Sequence, residues 1–216
     1  MMKDNINKED GFIIEFWANI FSFLSKISIF SFVRKKKNDN THVFVERWVL
    51  WNLLLAITTT LIGYYLGNKI KWFLYIIIVY AILRVFEVII YQLNVLFFDP
   101  YRTEKRGKKY EIKSPTRMVI LLLHNYVEVM FWYAAIIIAL IQLSGNLLDA
   151  TWGEYVRSNI LCIATFDSSG IQEIVGEFYS KLSGIVFLQI ISGVIMTIIS
   201  LARFIGLMPV IDSKND

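Results

Sequence analysis

Four long apolar segments decide most of what this chain can fold into. Arg47–Leu66, Trp72–Phe98, Met118–Leu143 and Leu182–Met208 are dominated by Ile, Leu, Val, Phe and Trp. A helix of about 20 such residues crosses a hydrocarbon layer of about 30 Å. A water-soluble core does not require runs of this length, because a surface helix keeps one polar face. The composition agrees: 56% of the 216 residues are hydrophobic and 19% are charged, whereas soluble domains average about half apolar and a quarter charged. The expectation is an all-α transmembrane fold with four spanning helices. The lone Cys162 excludes an internal disulfide.

The formal net charge of +4 is unevenly placed, with Lys and Arg concentrated at Arg34–Lys37 and across Arg102–Arg117. Short basic blocks that flank apolar spans hold loops in the cytoplasm. The linker holding Arg102, Lys105, Arg106, Lys108, Lys109, Lys113 and Arg117 is therefore expected inside, with both termini on the same side and 144–181 outside. This reading gives a multi-pass protein of the plasma membrane. Nucleic-acid binding is not expected, because no soluble basic face is present. The chain divides into an N-terminal segment 1–45, a helix hairpin 46–98, a basic linker 99–117, a region 118–208 holding the last two spans, and a tail 209–216. Gly67-Asn68-Lys69 reads as a tight turn, and Pro100 is expected to end the second span.

Gly11–Val33 differs from the spans. Glu15, Asn19, Ser22 and Lys26 recur at spacings of four, three and four, one stripe of a helix, and aromatic and aliphatic residues cover the rest. That pattern predicts an amphipathic helix at the membrane interface. A fifth, poorly hydrophobic span is the alternative.

Between the last two long spans, Tyr155–Phe166 is apolar but too short to cross. Thr151-Trp152-Gly153-Glu154 before it matches a capping box, and Asp167-Ser168-Ser169-Gly170 after it reads as a helix stop. The segment is then either a re-entrant helix or a short helix on the outer surface.

Here the sequence resembles the pore domain of bacterial two-span potassium channels, whose filter has the form T-x-x-T-V-G-Y-G-D-x-x-P. The matching stretch runs without a gap from Thr165 to Gly176. Thr165 stands at the first threonine, Ser168 at the filter threonine, Ser169 at the valine and Gly170 at the first filter glycine. Ile171 replaces the tyrosine, Gln172 the second glycine and Glu173 the aspartate. Lys181-Leu182, Phe187–Gly193 and Leu201–Ile205 look like the family's inner helix, and the resemblance covers about Arg117–Pro209. It implies a homotetramer, with Tyr155–Phe166 as pore helix, Ser168–Glu173 at the constriction and Gly193 as a gating hinge or a close-packing site. The permeant species implied is a monovalent cation. Backbone carbonyls replace an ion's hydration shell in such a filter. A side chain at Gln172 alters that geometry, leaving three outcomes: a wider and less selective pore, a filter of different shape, or a pore-like fold that does not conduct.

Asp149, Glu154, Asp167, Glu173 and Glu177 outnumber Arg157 and Lys181 in the outer segment, and acidic rings concentrate cations at a pore mouth. Acidic outer loops also accompany any positive-inside bias. Arg84 and Glu87 lie three apart and read as a pair within the second span. His124 and Glu128 share a face of the third span without the further ligands a metal needs, so interhelical hydrogen bonding is expected. Arg203 is expected to snorkel to headgroups, and Trp48, Trp51, Trp72 and Trp152 fit an interfacial belt. No phosphate loop, metalloprotease motif or nucleophile–base pair is present, and His42 and His124 are the only histidines. No enzyme activity, cofactor or metal is expected. The leading expectation is a channel-like cation pathway in the lipid bilayer; the alternative is a non-conducting scaffold or partner subunit that retains the pore fold.

Overall fold

The computed structural model describes residues 12–27, 41–107, 114–146 and 148–206. Arg34–Lys37, Lys108, Lys109, Lys113, the end of the fourth span at Met208, and the tail lie outside the described residues, as do the side chains of Lys26 and His42.

The elements are α1 (Phe12–Ile27), α2 (Thr41–Leu66), α3 (Lys71–Leu93), a π-helical turn (Asn94–Phe98), α4 (Asp99–Lys105) and α5 (Pro115–Leu143). They are followed by α6 (Trp152–Thr165), α7 (Ser169–Val175), a 3₁₀ turn (Gly176–Phe178) and α8 (Tyr179–Gly206). Among the described residues, four helical stretches are long and apolar enough to cross a membrane: Val43–Leu66, Lys71–Lys105, Pro115–Leu143 and Ser169–Gly206.

The second stretch departs from the sequence expectation. The helix does not end before Pro100 but continues through the π-helical turn into α4, with Pro100 in the first turn of that new helix. Proline is tolerated there because a first-turn residue has no intrahelical N–H bond to lose. The wider π turn absorbs the mismatch.

α5 is the hub, packing against α2, α3, α6 and α8. Every residue from Trp132 to Ala139 is buried, so this part of the helix is surrounded on all sides, as its all-round apolarity requires. Within lipid, apolar surface alone no longer drives helices together. Close packing and interhelical hydrogen bonds take over. Both are present: Ala134, Ala135 and Ala139 are small and fully packed, and the Thr60 hydroxyl, bonded to Ala56 O at 2.6 Å, also reaches Phe131 O at 3.3 Å. Gln142 donates to Tyr64 O at 3.0 Å across α5 and α2. Gly67 gives that amide room, since a Cβ there would collide with the Gln142 side chain. In contrast, Tyr75, Val79, Ile82, Leu83 and Phe86 form an exposed stripe along α3, the face such a helix turns to acyl chains.

Candidate functional site

The α6–α7 hairpin, inserted between α5 and α8, is where polar chemistry enters the bundle. Its start is built locally. Thr151 N–H donates to Glu154 Oε2 at 2.7 Å, and Glu154 N–H donates back to the Thr151 hydroxyl at 3.3 Å. This is the capping box that the sequence predicts. The backbone donor holds the Glu154 carboxyl below its ordinary range. Tyr64 anchors the same end from α2 through a 3.0 Å bond to Ala150 O.

From there α6 buries Tyr155, Val156, Ser158, Asn159, Cys162 and Ile163. Gln189 of α8 donates to Asn159 Oδ1 at 3.0 Å and Asn159 O at 3.2 Å, and both residues are fully buried. The last turn of α6 lies against the middle of the 28-residue α8: a Cβ on Gly193 would stand 2.8 Å from Ile163 O. Tyr126 closes the same level from α5, meeting the Thr197 hydroxyl at 2.9 Å and Ile163 O at 3.4 Å. Tyr133 meets the Ser192 hydroxyl at 2.8 Å. Gly193 is thus a site of close helix approach. Asn159, Tyr126 and Tyr133 carry no signal in the sequence, because their partners lie on other helices.

The chain then reverses. The stop falls on Phe166, whose left-handed φ of 59° ends α6, and not on Gly170, which sits inside α7. Asp167 caps the return, accepting from Ser169 N–H at 3.0 Å and from its hydroxyl at 2.6 Å. These bonds hold the Asp167 carboxyl low. Ser168 bonds the Tyr179 hydroxyl at 2.8 Å, and Thr165 bonds back to Leu161 O at 2.8 Å.

This geometry differs from the carbonyl-lined strand that the family resemblance implies. Ser169–Val175 is helical, Ile171 is fully buried against the cluster holding Tyr155 and Cys162, and Gly170 rests near Ser158. Helical carbonyls lie along the helix axis, with Ser168 O taking the N–H groups of Ile171 and Gln172, and so do not form an inward stack. Locally, Asp167 turns the chain through its bond from Ser169 N–H, Ser168 stands at the N-cap, and neither Gly170 nor Gln172 adopts positive φ.

Of the outer acidic residues, Asp149, Glu173 and Glu177 line one cavity of about 570 Å³ together with Asn146, Tyr155 and Lys181. Glu154 belongs to the cap, and Asp167 to the far turn.

A second polar cluster lies within the spans. Arg84 donates to both oxygens of Glu128, at 2.6 and 3.1 Å, and to Glu87 at 2.7 Å; Trp132 donates to Glu128 at 3.0 Å. Trp48 packs against the guanidinium, 5.8 Å from its ring centre. The expected Arg84–Glu87 pair is present, but Glu128 belongs to it and not with His124, which bonds Ile120 O and faces outward. Arg203 is also corrected: it is buried, because Met196 and Ile199 turn its face inward. Among the described residues no group of three His, Cys, Asp or Glu is arranged to hold a metal.

Cys162, fully buried, gives a simple check on the hairpin's seat. It is expected to stay unmodified by maleimide in the folded protein and to take one label per chain once SDS unfolds it. Fast labelling of folded protein would mean that α6 does not sit as described.

These features define a class: a multi-pass helical membrane protein with a short polar hairpin packed among its spans. Neither the protein-family models, the curated proteins nor the solved structures compared with the chain provide a match.

Proposed function

We propose that this chain is the subunit of a homo-oligomeric, channel-like cation pathway in the plasma membrane, with α6 and α7 as a re-entrant hairpin. One observation carries the reading. Thr165, Asp167, Ser169 and Gln172 are exposed in the single chain, on a hairpin whose last α6 turn lies beside the middle of α8. Irregular backbone and polar side chains at such depth are tolerated only within protein or beside water. Apolar lipid is no partner for this turn. Neighbouring copies arranged around a hydrated axis are, and the sequence resemblance makes their number four.

In this arrangement α5 and α8 are the outer and inner helices, and α2 and α3 pack outside. Ser168–Glu173 borders the axis as a helix, so side chains and water, not stacked carbonyls, would meet a monovalent cation. Asp149, Glu173 and Glu177 would draw cations toward the outer mouth. The basic linker and both termini are placed in the cytoplasm by the positive-inside bias, and α1 at the inner interface.

The test is cation flux through purified protein in liposomes. Gln172→Trp is exposed enough to leave the hairpin intact, and is expected to abolish flux while oligomer size is kept; Asp167→Asn is expected to lower it several-fold. A second reading, a non-conducting scaffold, draws on the helical form of Ser169–Val175. Intact oligomers that pass no cation under any imposed potential would establish that reading instead.

A further inference from the structure

α1 is held by side chains, not by a greasy groove. Arg102 Nη2 donates to Ala18 O at 3.1 Å and to Asn94 Oδ1 at 2.7 Å, while Nη1 bonds Asp99 at 3.0 Å. Asn94, inside the π-helical turn, donates to Phe21 O at 3.2 Å. Phe21 stacks on Phe98 with ring centres 4.9 Å apart, and Lys105 pairs with Glu15 at 2.8 Å. Ala18 and Phe21, three apart, mark the docked face; Phe12, Phe16 and Phe23 share the opposite one. That opposite face is bare: Phe12 is 81% exposed and Phe23 63%. Ile13 and Trp17 widen it.

We propose that this bare face is seated in the lipid surface on the basic-linker side, with its aromatic and aliphatic side chains among the acyl chains. Lys105 and Arg106 then lie at the headgroup phosphates. The occupant follows from position. The docking turn 94–98 lies within the apolar stretch Lys71–Lys105, and exposed Phe97 extends the lipid-facing surface of α3 down to α1. Arg102 is committed to Ala18, Asn94 and Asp99, and Lys105 to Glu15, so the charges here position α1 and its apolar face is what meets the lipid. A partner protein would have to displace lipid from a surface that begins inside the hydrocarbon boundary. Asn94 and Arg102 grip both α1 and the π-helical turn, so α1 is docked on the end of α3.

The inference rests on the membrane reading above and, for the choice of leaflet, on the proposed orientation. Full-length protein carrying single cysteines in place of Glu15, Phe16 or Phe23, with Cys162→Ala, is labelled with an environment-sensitive fluorophore. It is then reconstituted into phosphatidylcholine–phosphatidylglycerol vesicles. Lipids brominated along the acyl chain are expected to quench the probes at 16 and 23 several-fold more than the probe at 15, with aqueous iodide showing the reverse order. Equal quenching at all three positions, or iodide reaching 16 and 23 freely, would overturn the proposal. Arg102→Ala removes the main protein anchor, and the bromolipid pattern is expected to persist; its loss would show that protein, not lipid, shields the face. The leaflet is read separately, by an impermeant thiol reagent on Arg106→Cys in intact cells and in inside-out vesicles. Labelling from outside intact cells would overturn the inner-leaflet assignment, while the quenching order alone decides the acyl contact.

Discussion

Glu128→Ala is expected to destabilise the folded protein by about 3–5 kcal/mol, the range for removing one partner of a buried ion pair. The side chain is fully buried and satisfies two nitrogens of Arg84 and the indole N–H of Trp132. Its loss leaves a guanidinium and an indole donor inside the bundle with their main acceptor gone. Glu128→Gln keeps the shape but not the charge and should fall between wild type and alanine. The informative variant is the triple replacement Arg84→Met, Glu87→Leu and Glu128→Leu. It removes all three buried charges together, and apolar packing of similar volume often replaces a buried pair at little cost. Denaturation midpoints in detergent distinguish these cases. A triple variant no more stable than Glu128→Ala would show that the cluster does more than balance its own charge.

The second large effect is expected at Gly193. Any Cβ there comes within 2.8 Å of Ile163 O and 3.3 Å of Ile163 Cα. Both are backbone atoms that cannot swing aside. Gly193→Ala must part α6 from α8 slightly, and Gly193→Leu must part them outright, at a cost of about 1–3 kcal/mol or more for overpacking. Because Cys162 neighbours Ile163 on α6, the leucine variant should also make the silent thiol reactive to maleimide in folded protein. A gating hinge predicts otherwise: alanine would be accepted, Cys162 would stay silent, and only flux kinetics would change.

The membrane class, the number of spans and the capping box at Thr151 were legible because each is written in contiguous residues. Apolar run length answers to bilayer thickness, and a cap needs only residues three apart. The ion pair was half legible. Arg84 and Glu87 are neighbours on one helix, but Glu128 lies on another, and spacing along α5 associated it with His124. The same limit hid Asn159–Gln189 and Tyr126–Thr197. At Ser168–Glu173 the limit is of another kind. A gapless alignment carries register but not backbone dihedrals, and the hydrogen bonds of Asp167 with the absence of positive φ at Gly170 make a helix there.

What the sequence determined by itself is thus everything set by local chemistry and by the bilayer as solvent: apolar spans, a basic linker, an amphipathic first helix and a capped short one. Tertiary structure alone decided that α5 is the hub, that Gly193 admits Ile163, that α1 docks through Arg102 and Asn94, and that three carboxylates share one cavity. The physical reason is common to all four. Each depends on which helix faces which, and in lipid that choice is made by close packing and interhelical hydrogen bonds between residues far apart in the chain.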